Sequence, residues 1–200
     1  HEILENPKIA AIITAKLAFN YSERVISVSK AVQNNLHELC KARKADSIVV
    51  HNGIPAIKVG LKKESNILSF YLFGRIKPEK GQWYLIEALK LIPTYELIRT
   101  EFNLVGGTLA GKEHLKIELE SIIAKAGLED FVKLKGFTDD ISTEMSLADV
   151  CLIPSLMKDP FPTTVLEAMS AGKAIIASNT GGGKEAISNK QTGYIVPANE

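Results

Sequence analysis

Cysteine is scarce: Cys40 and Cys151 are the only two in 200 residues. Two cysteines cannot build the disulfide framework of a small secreted scaffold. Cys151 falls inside an apolar, strand-like run, so burial as a free thiol in a cytoplasmic protein is expected. Net charge is almost absent, +1 from 24 basic and 23 acidic residues. General nucleic-acid binders are usually far more basic, so no nucleic-acid partner is expected. Long hydrophobic runs are missing too, and none approaches the roughly 20 residues of a membrane-spanning helix. The four histidines, His1, His37, His51 and His114, stand at no metal-ligand spacing. No metal site is therefore expected, and His37 and His114 read as surface residues of helices. No strand leads into Gly-x-Gly-x-x-Gly, which removes a dinucleotide fingerprint. No Ser-His-Asp or Cys-His order appears, which removes a nucleophilic triad. There is no signal peptide and no initiating Met. The chain starts at His1 and stops at Glu200 in mid-pattern, so a fragment of a longer protein, its last helices missing, is the expectation.

What is present is ordinary globular material, 46% hydrophobic and 24% charged, enough to bury a core. A helical stretch holds Ile9, Ile12, Ile13 and Leu17. A short strand, 24–29, leads to a Ser-capped helix, 30–41, and another short strand covers 47–50. His51-Asn52-Gly53-Ile54-Pro55 is a turn-rich break. Residues 56–66 are polar and Lys-rich and read as a linker. From there the pattern alternates strands (68–73, 102–105, 131–135, 149–153, 174–178, 193–196) with helices (82–92, 113–126, 142–147, 163–171, 184–188). Such alternation predicts an α/β fold, a doubly wound parallel sheet.

Two loops stand out because such sheets bind ligands at the carboxyl ends of their strands. The first, Gly74 to Gly81, carries Arg75 and Lys80, a forked and a mobile cation suited to phosphate oxygens. A solvated basic loop is the bland alternative. The second, 155–162, precedes a helix and carries Asp159, with Glu167 on the helix. A helix N-terminus offers free N–H groups to a phosphate. A carboxylate beside it can accept hydrogen bonds from the vicinal hydroxyls of a ribose or hexose. Glu167 also fits a capping box with Thr164, and Asp159 fits an ordinary loop acid. Gly172 sits where a left-handed cap ends the helix. A third loop, GGTLAGKE from Gly106 to Glu113, nearly matches a phosphate-binding P-loop. Glu113 stands where Ser or Thr should hold magnesium, so the match reads as a decoy.

Residues Asp159 to Gly182 resemble the donor-site signature of the group 1, or family 4, retaining glycosyltransferases. That signature is an acid, Pro-Phe, Leu-Glu-Ala-Met, Ala-Gly and then Gly-Gly. The family has Glu where this chain has Asp159. Gly74 to Gly81 resembles the family's Gly-Arg…Lys-Gly loop, Gly181 to Glu185 its Gly-Gly-x-Pro-Glu turn, and Gly136 to Asp140 a loop near the nucleotide base. The resemblance implies a GT-B enzyme that moves a hexose from a nucleotide-diphosphate sugar, UDP- or GDP-linked, to a glycan, lipid or polysaccharide with retention and without a cofactor or metal. It implies Arg75, Lys80 and Gly74 at the donor diphosphate, and backbone contacts to sugar and phosphate from Phe161, Pro162, Thr163 and Thr164. Glu167 would hold the ribose, Gly106 and Gly107 would form a glycine loop near the donor, and Asp159 and His1 would face the transferred sugar. Glu185 reads as structural. The division implied is a remnant of the acceptor-binding domain (1–55), a linker (56–66) and a Rossmann-like nucleotide-sugar-binding domain (67–200). A cytoplasmic site follows, with peripheral attachment at the inner face of a membrane compatible with such acceptors. The alternatives are a P-loop nucleotide hydrolase using Lys112, or a non-catalytic nucleotide-sugar-binding protein with Asp159 as its only support.

Overall fold

A computed structural model describes residues 9–40, 47–60 and 64–198. The first part holds helix α1 (Ile9–Tyr21), strand β1 (Val25–Ser27), helix α2 (Lys30–Cys40) and strand β2 (Ser47–Val49). β1 and β2 pair in parallel as a two-stranded sheet. Ser29 caps α2 as its sequence predicts, its Oγ accepting the Val32 N–H at 3.1 Å. His37 is partly buried instead of fully exposed: it lies 2.7 Å from the Ser47 hydroxyl and meets the edge of Phe19.

The second part alternates β3 (Leu68–Phe73), α3 (Gln82–Leu89), α4 (Thr94–Leu97), β4 (Thr100–Val105), α5 (His114–Lys125), β5 (Val132–Gly136), α6 (Ile141–Leu147), β6 (Val150–Ile153), α7 (Thr163–Ser170), β7 (Ala174–Ser178) and β8 (Tyr194–Val196). Its six strands form one sheet in the order β5-β4-β3-β6-β7-β8, and every pair is parallel. Side chains alternate between the two faces. Leu72, Leu104 and Leu152 face α3 and α5, where they pack with Ile86, Leu89, Leu119 and Ile123. Tyr71, Val105, Cys151 and Ile175 face α6 and α7, where they meet Met145, Val165 and Ala168. Covering both faces is what a parallel sheet requires, and the doubly wound expectation holds.

Some boundaries differ from the sequence pattern. The helix expected over 82–92 ends at Leu89, and Leu91 is 86% exposed. Pro93 then serves as N-cap of the short α4, which the sequence reading lacks. The helix expected over 184–188 is one 3-10 turn, Gly183–Glu185. Met169 points outward from α7, while Val165 and Ala168 are fully buried. Residues 50–60 have no regular structure, yet the segment lies on the second part. The Ile57 N–H bonds Ser170 Oγ at 2.9 Å, and Ser142 Oγ donates to the Lys58 carbonyl.

Cys151 is buried, and desolvation pushes its thiol up to about 12, with Lys173 opposing weakly. Thiolate, not thiol, is the reactive form. Native protein treated with iodoacetamide at pH 8 and mapped by peptide mass should therefore show Cys151 unmodified until denaturant is added.

Candidate functional site

The sheet runs outward from β3 through β4 to β5, then returns to β6 and runs on through β7 to β8. The reversal leaves a crevice at the carboxyl ends of β3 and β6. The loops leaving those two strands are the two the sequence singled out, and the structure ties them together. Lys80 Nζ donates to Asp159 Oδ2 at 2.8 Å, with the side chains 24% and 15% exposed. The Leu156 N–H bonds the Glu79 carbonyl at 2.9 Å. Gly81 adopts φ 85°, and a Cβ there would sit 2.0 Å from the Pro154 carbonyl oxygen. Only glycine fits such an approach.

The loop after β7 closes on the same place. The Gly182 N–H bonds the Asp159 carbonyl at 2.9 Å. Thr180 Oγ1 donates to the Ser155 carbonyl at 3.1 Å. Gly181 takes φ 56°, and its missing Cβ would lie 2.1 Å from the Asp159 carbonyl oxygen. Asp159 is thus held by side chain from one neighbouring loop and by backbone from another.

On the β4 side the ladder continues past the strand ends. Gly74 N–H bonds the Val105 carbonyl, Ile76 N–H the Gly107 carbonyl and Gly106 N–H the Gly136 carbonyl, at 2.7–2.9 Å. A Cβ on Gly106 would meet the Gly74 carbonyl at 2.0 Å. Gly106 therefore has a packing reason of its own, and Gly107 lies beside Phe137. In the near-P-loop, Glu113 Oε1 accepts the Gly111 N–H at 3.0 Å. The carboxylate occupies an amide that a bound phosphate would use, which keeps this loop a decoy.

Helix α7 begins at Thr163 with Pro162 as N-cap, and no side chain caps it. The capping box expected from Thr164 and Glu167 does not form, because Glu167 lies a turn into the helix. Pro162 has no N–H, so of the four residues expected to offer backbone contacts, Phe161, Thr163 and Thr164 retain donors. Burial raises the Glu167 carboxyl above its ordinary value of 4.5, and a hydrogen bond with the Thr163 side chain opposes the rise. Among the described residues no cation pairs with Glu167, and such a half-buried acid is costly where it stands, which suits a group kept for a ligand.

The Phe161 side chain is not available to a ligand. It is 6% exposed, packs with Val28 and Val32, and stacks on the His51 ring at 4.6 Å with 4° between planes. Glu185, beyond the reach of sequence spacing, turns to the first part of the chain. Its carboxylate oxygens accept the N–H groups of Lys30 and Ala31, both at 2.8 Å, and His51 Nε2 stands 3.2 Å away. Burial pushes its carboxyl up, and these hydrogen bonds and the His51 charge outweigh that, leaving it below its ordinary value.

These loops do not enclose a single hollow: Leu156, Thr180, Gly181 and Glu185 line a cavity of about 590 Å³. Asp159, Phe161 and Pro162 line a cavity of about 380 Å³ with Val28 and Asn52. Arg75 is exposed and lines another, of about 340 Å³, with Lys77, Leu109, Lys112 and His114. So Lys80, Asp159 and the start of α7 come together, while Arg75 stands to one side. His1 lies outside the described residues. Among the described residues no helix is long and apolar enough to cross a membrane.

A parallel sheet with one reversal, glycine-laced loops at that reversal, and a cation–acid pair beside an open helix start define a doubly wound ligand-binding domain. Residues 55–200 match the sequence pattern of the group 1 glycosyl transferases, and the chain belongs to that family. It is 28% identical over 190 residues to the amylovoran biosynthesis glycosyltransferase AmsK of Erwinia amylovora, covering 90% of this chain and 45% of that one. It is 29% identical over 164 residues to the UDP-Gal:alpha-D-GlcNAc-diphosphoundecaprenol alpha-1,3-galactosyltransferase of Escherichia coli, covering 76% and 41%. The Anabaena protein HepE crystallised with UDP superposes with a TM-score of 0.88 at 28% identity, covering all of this chain and 57% of that one. HepE has also been crystallised with UDP-glucose, and that structure superposes at 0.84. The chain spans under half the length of these two curated relatives.

Proposed function

We propose that this chain is the donor-binding half of a glycosyltransferase that takes a hexose from a UDP sugar and passes it, with retention, to a glycan or lipid-linked acceptor. The observation that carries the reading is the convergence of Lys80, Asp159 and the uncapped start of α7 on the sheet's reversal point. Similarity to a protein crystallised with UDP-glucose supports the choice of UDP over GDP. Relatives named for amylovoran biosynthesis and for a diphosphoundecaprenol acceptor support the acceptor class. The division into an acceptor-domain remnant (1–55), a linker (56–66) and a donor domain (67–200) belongs to the same proposal, as does peripheral attachment at the inner face of a membrane.

In this reading the diphosphate lies between Lys80 and the N–H groups of Phe161, Thr163 and Thr164, with Arg75 reaching in from the side and Gly74, Gly106 and Gly107 keeping the floor narrow. An ammonium has three donors, and Asp159 occupies one, so Lys80 can hold a phosphate oxygen without releasing its partner. Asp159 accepts from a hydroxyl of the transferred sugar and Glu167 from the ribose diol. As the glycosidic bond breaks, negative charge grows on the leaving diphosphate, where Lys80, Arg75 and the helix dipole stabilise it.

Glu167→Gln tests the reading. With no capping box, the carboxylate brings burial cost and no cap. Its raised pKa means that the Glu contributes its stability below the unfolded value and loses it as pH rises through the folded one. At pH 7 the Gln variant should therefore melt above the parent, and the gap should close near pH 4. UDP should meanwhile bind more weakly, because charge-assisted hydrogen bonds are roughly twice as strong as neutral ones. A 2′,3′-dideoxy nucleotide should bind the parent weakly and lose little more in the variant. Parental UDP affinity in calorimetry would return Glu167 to a structural role and remove the ribose assignment.

A further inference from the structure

The four leading N–H groups of a helix have no partner within it. In α2, Ser29 Oγ takes that of Val32, and the Glu185 carboxylate takes those of Lys30 and Ala31. Glu185 comes from a turn more than 150 residues away. That turn is also the one whose Gly182 N–H bonds the Asp159 carbonyl and whose glycines lie against Asp159 and Pro160. A Cβ on Gly182 would touch the Pro160 carbonyl at 2.0 Å and the Ser29 side chain at 2.7 Å. The Glu185 oxygen that accepts the Lys30 N–H, Oε2, also faces His51, and His51 lies flat on Phe161, two residues from Asp159. Two routes therefore run from α2 to the Asp159 loop, one through backbone and one through a ring stack, and both pass Glu185.

We propose that Glu185 is a positioning residue: by clamping the start of α2 and His51, it sets the Asp159–Pro162 loop at the junction between the two parts of the chain. Removing the clamp frees the α2 terminus and lets the loop carrying Asp159 drift from Lys80. The consequence for donor binding rests on the reading proposed above; the positioning itself does not.

Hydrogen exchange read by NMR on the whole chain separates the two. In Glu185→Ala, amide exchange at Lys30 and Ala31 should accelerate by about tenfold or more, the range of a lost charge-assisted hydrogen bond. Exchange at Gly182, whose N–H bonds Asp159, should accelerate with it. UDP affinity should fall several-fold, and Glu185→Gln, which keeps an acceptor but no charge, should lie between parent and Ala. His51→Ala, which cuts the stack alone, should disturb the Phe161 amide and spare Lys30 and Ala31. Faster exchange at Lys30 and Ala31 with parental exchange at Gly182 and Phe161 would overturn the proposal, leaving Glu185 a helix cap and nothing more. If the parent fails to bind UDP, the donor reading falls, while the Gly182 result still decides the clamp.

Discussion

Lys80→Ala should weaken UDP binding by about tenfold to a hundredfold, the loss of a charge-assisted contact of about 1.5–3 kcal/mol. The effect comes from two sources. The variant loses a donor to the diphosphate, and it strips Asp159 of its 2.8 Å partner, leaving a partly buried carboxylate to repel the incoming phosphates. The second source is testable by itself. Asp159→Asn in the Lys80→Ala background should recover part of the affinity, because it removes the repulsion without restoring the cation. Arg75→Ala should cost less, since Arg75 is exposed and lines the neighbouring hollow. Calorimetry on the four proteins gives the comparison, and a Lys80→Ala protein with parental affinity would sink the diphosphate assignment.

Gly181→Ala should be among the most damaging single methyl additions at the described residues, alongside Gly81→Ala. A left-handed conformation costs a non-glycine residue about 1–2 kcal/mol, and the new Cβ would lie 2.1 Å from the Asp159 carbonyl oxygen. Overpacking of that kind costs about 1–3 kcal/mol more, against a total stability of about 5–15 kcal/mol for a typical domain. Gly172→Ala supplies the control. Gly172 ends α7 with φ 64° and has nothing within 4 Å of its missing Cβ, so its variant bears the backbone cost alone. Thermal melts should rank parent, Gly172→Ala and Gly181→Ala in falling order, and only Gly181→Ala should also lose UDP affinity beyond its loss of fold. Equal melting of the two variants would mean that the β7 loop yields easily and does not brace Asp159.

How much of this could be read from the sequence depends on the range of the forces involved. Strands β3 and β7 fall on the runs 68–73 and 174–178 because buried parallel strands are short apolar blocks with clear ends. Gly172 was legible as a cap because φ near +60° selects glycine locally. The absence of the capping box was not, because Thr164 and Glu167 have the right spacing but Pro162, not Thr164, is the N-cap and the helix begins at Thr163. Nor was the true end of α3: Ile92 continues the helical period, yet the chain leaves the core after Leu89. Lys80 and Asp159 could each be placed at the ligand edge by topology, but their pairing across 79 positions is set by how two loops pack. Glu185 is the furthest case. Its place after the glycine turn reads as structural, but nothing local points to its partners, since its hydrogen bonds go to a helix near the other end of the chain. Phe161 shows the converse, since a motif marks the position while only the fold reveals that the ring is committed to His51 and its backbone alone is free.

The ladder that runs past the ends of β3 and β4 has a thermodynamic consequence. Gly74, Ile76 and Gly106 are hydrogen-bonded as though the strands had not stopped, so the loop bearing Arg75 is ordered when the sheet forms. Fixing a residue's backbone costs about 1–2 kcal/mol of conformational entropy, and here that cost falls on folding instead of on association. Ligand contacts on the β3 side thus meet a preorganised surface. The loop after β6 has no such ladder and is held crosswise by Lys80, Gly182 and Thr180. If one side of the crevice adapts to what enters it, that loop is the side with the freedom to do so.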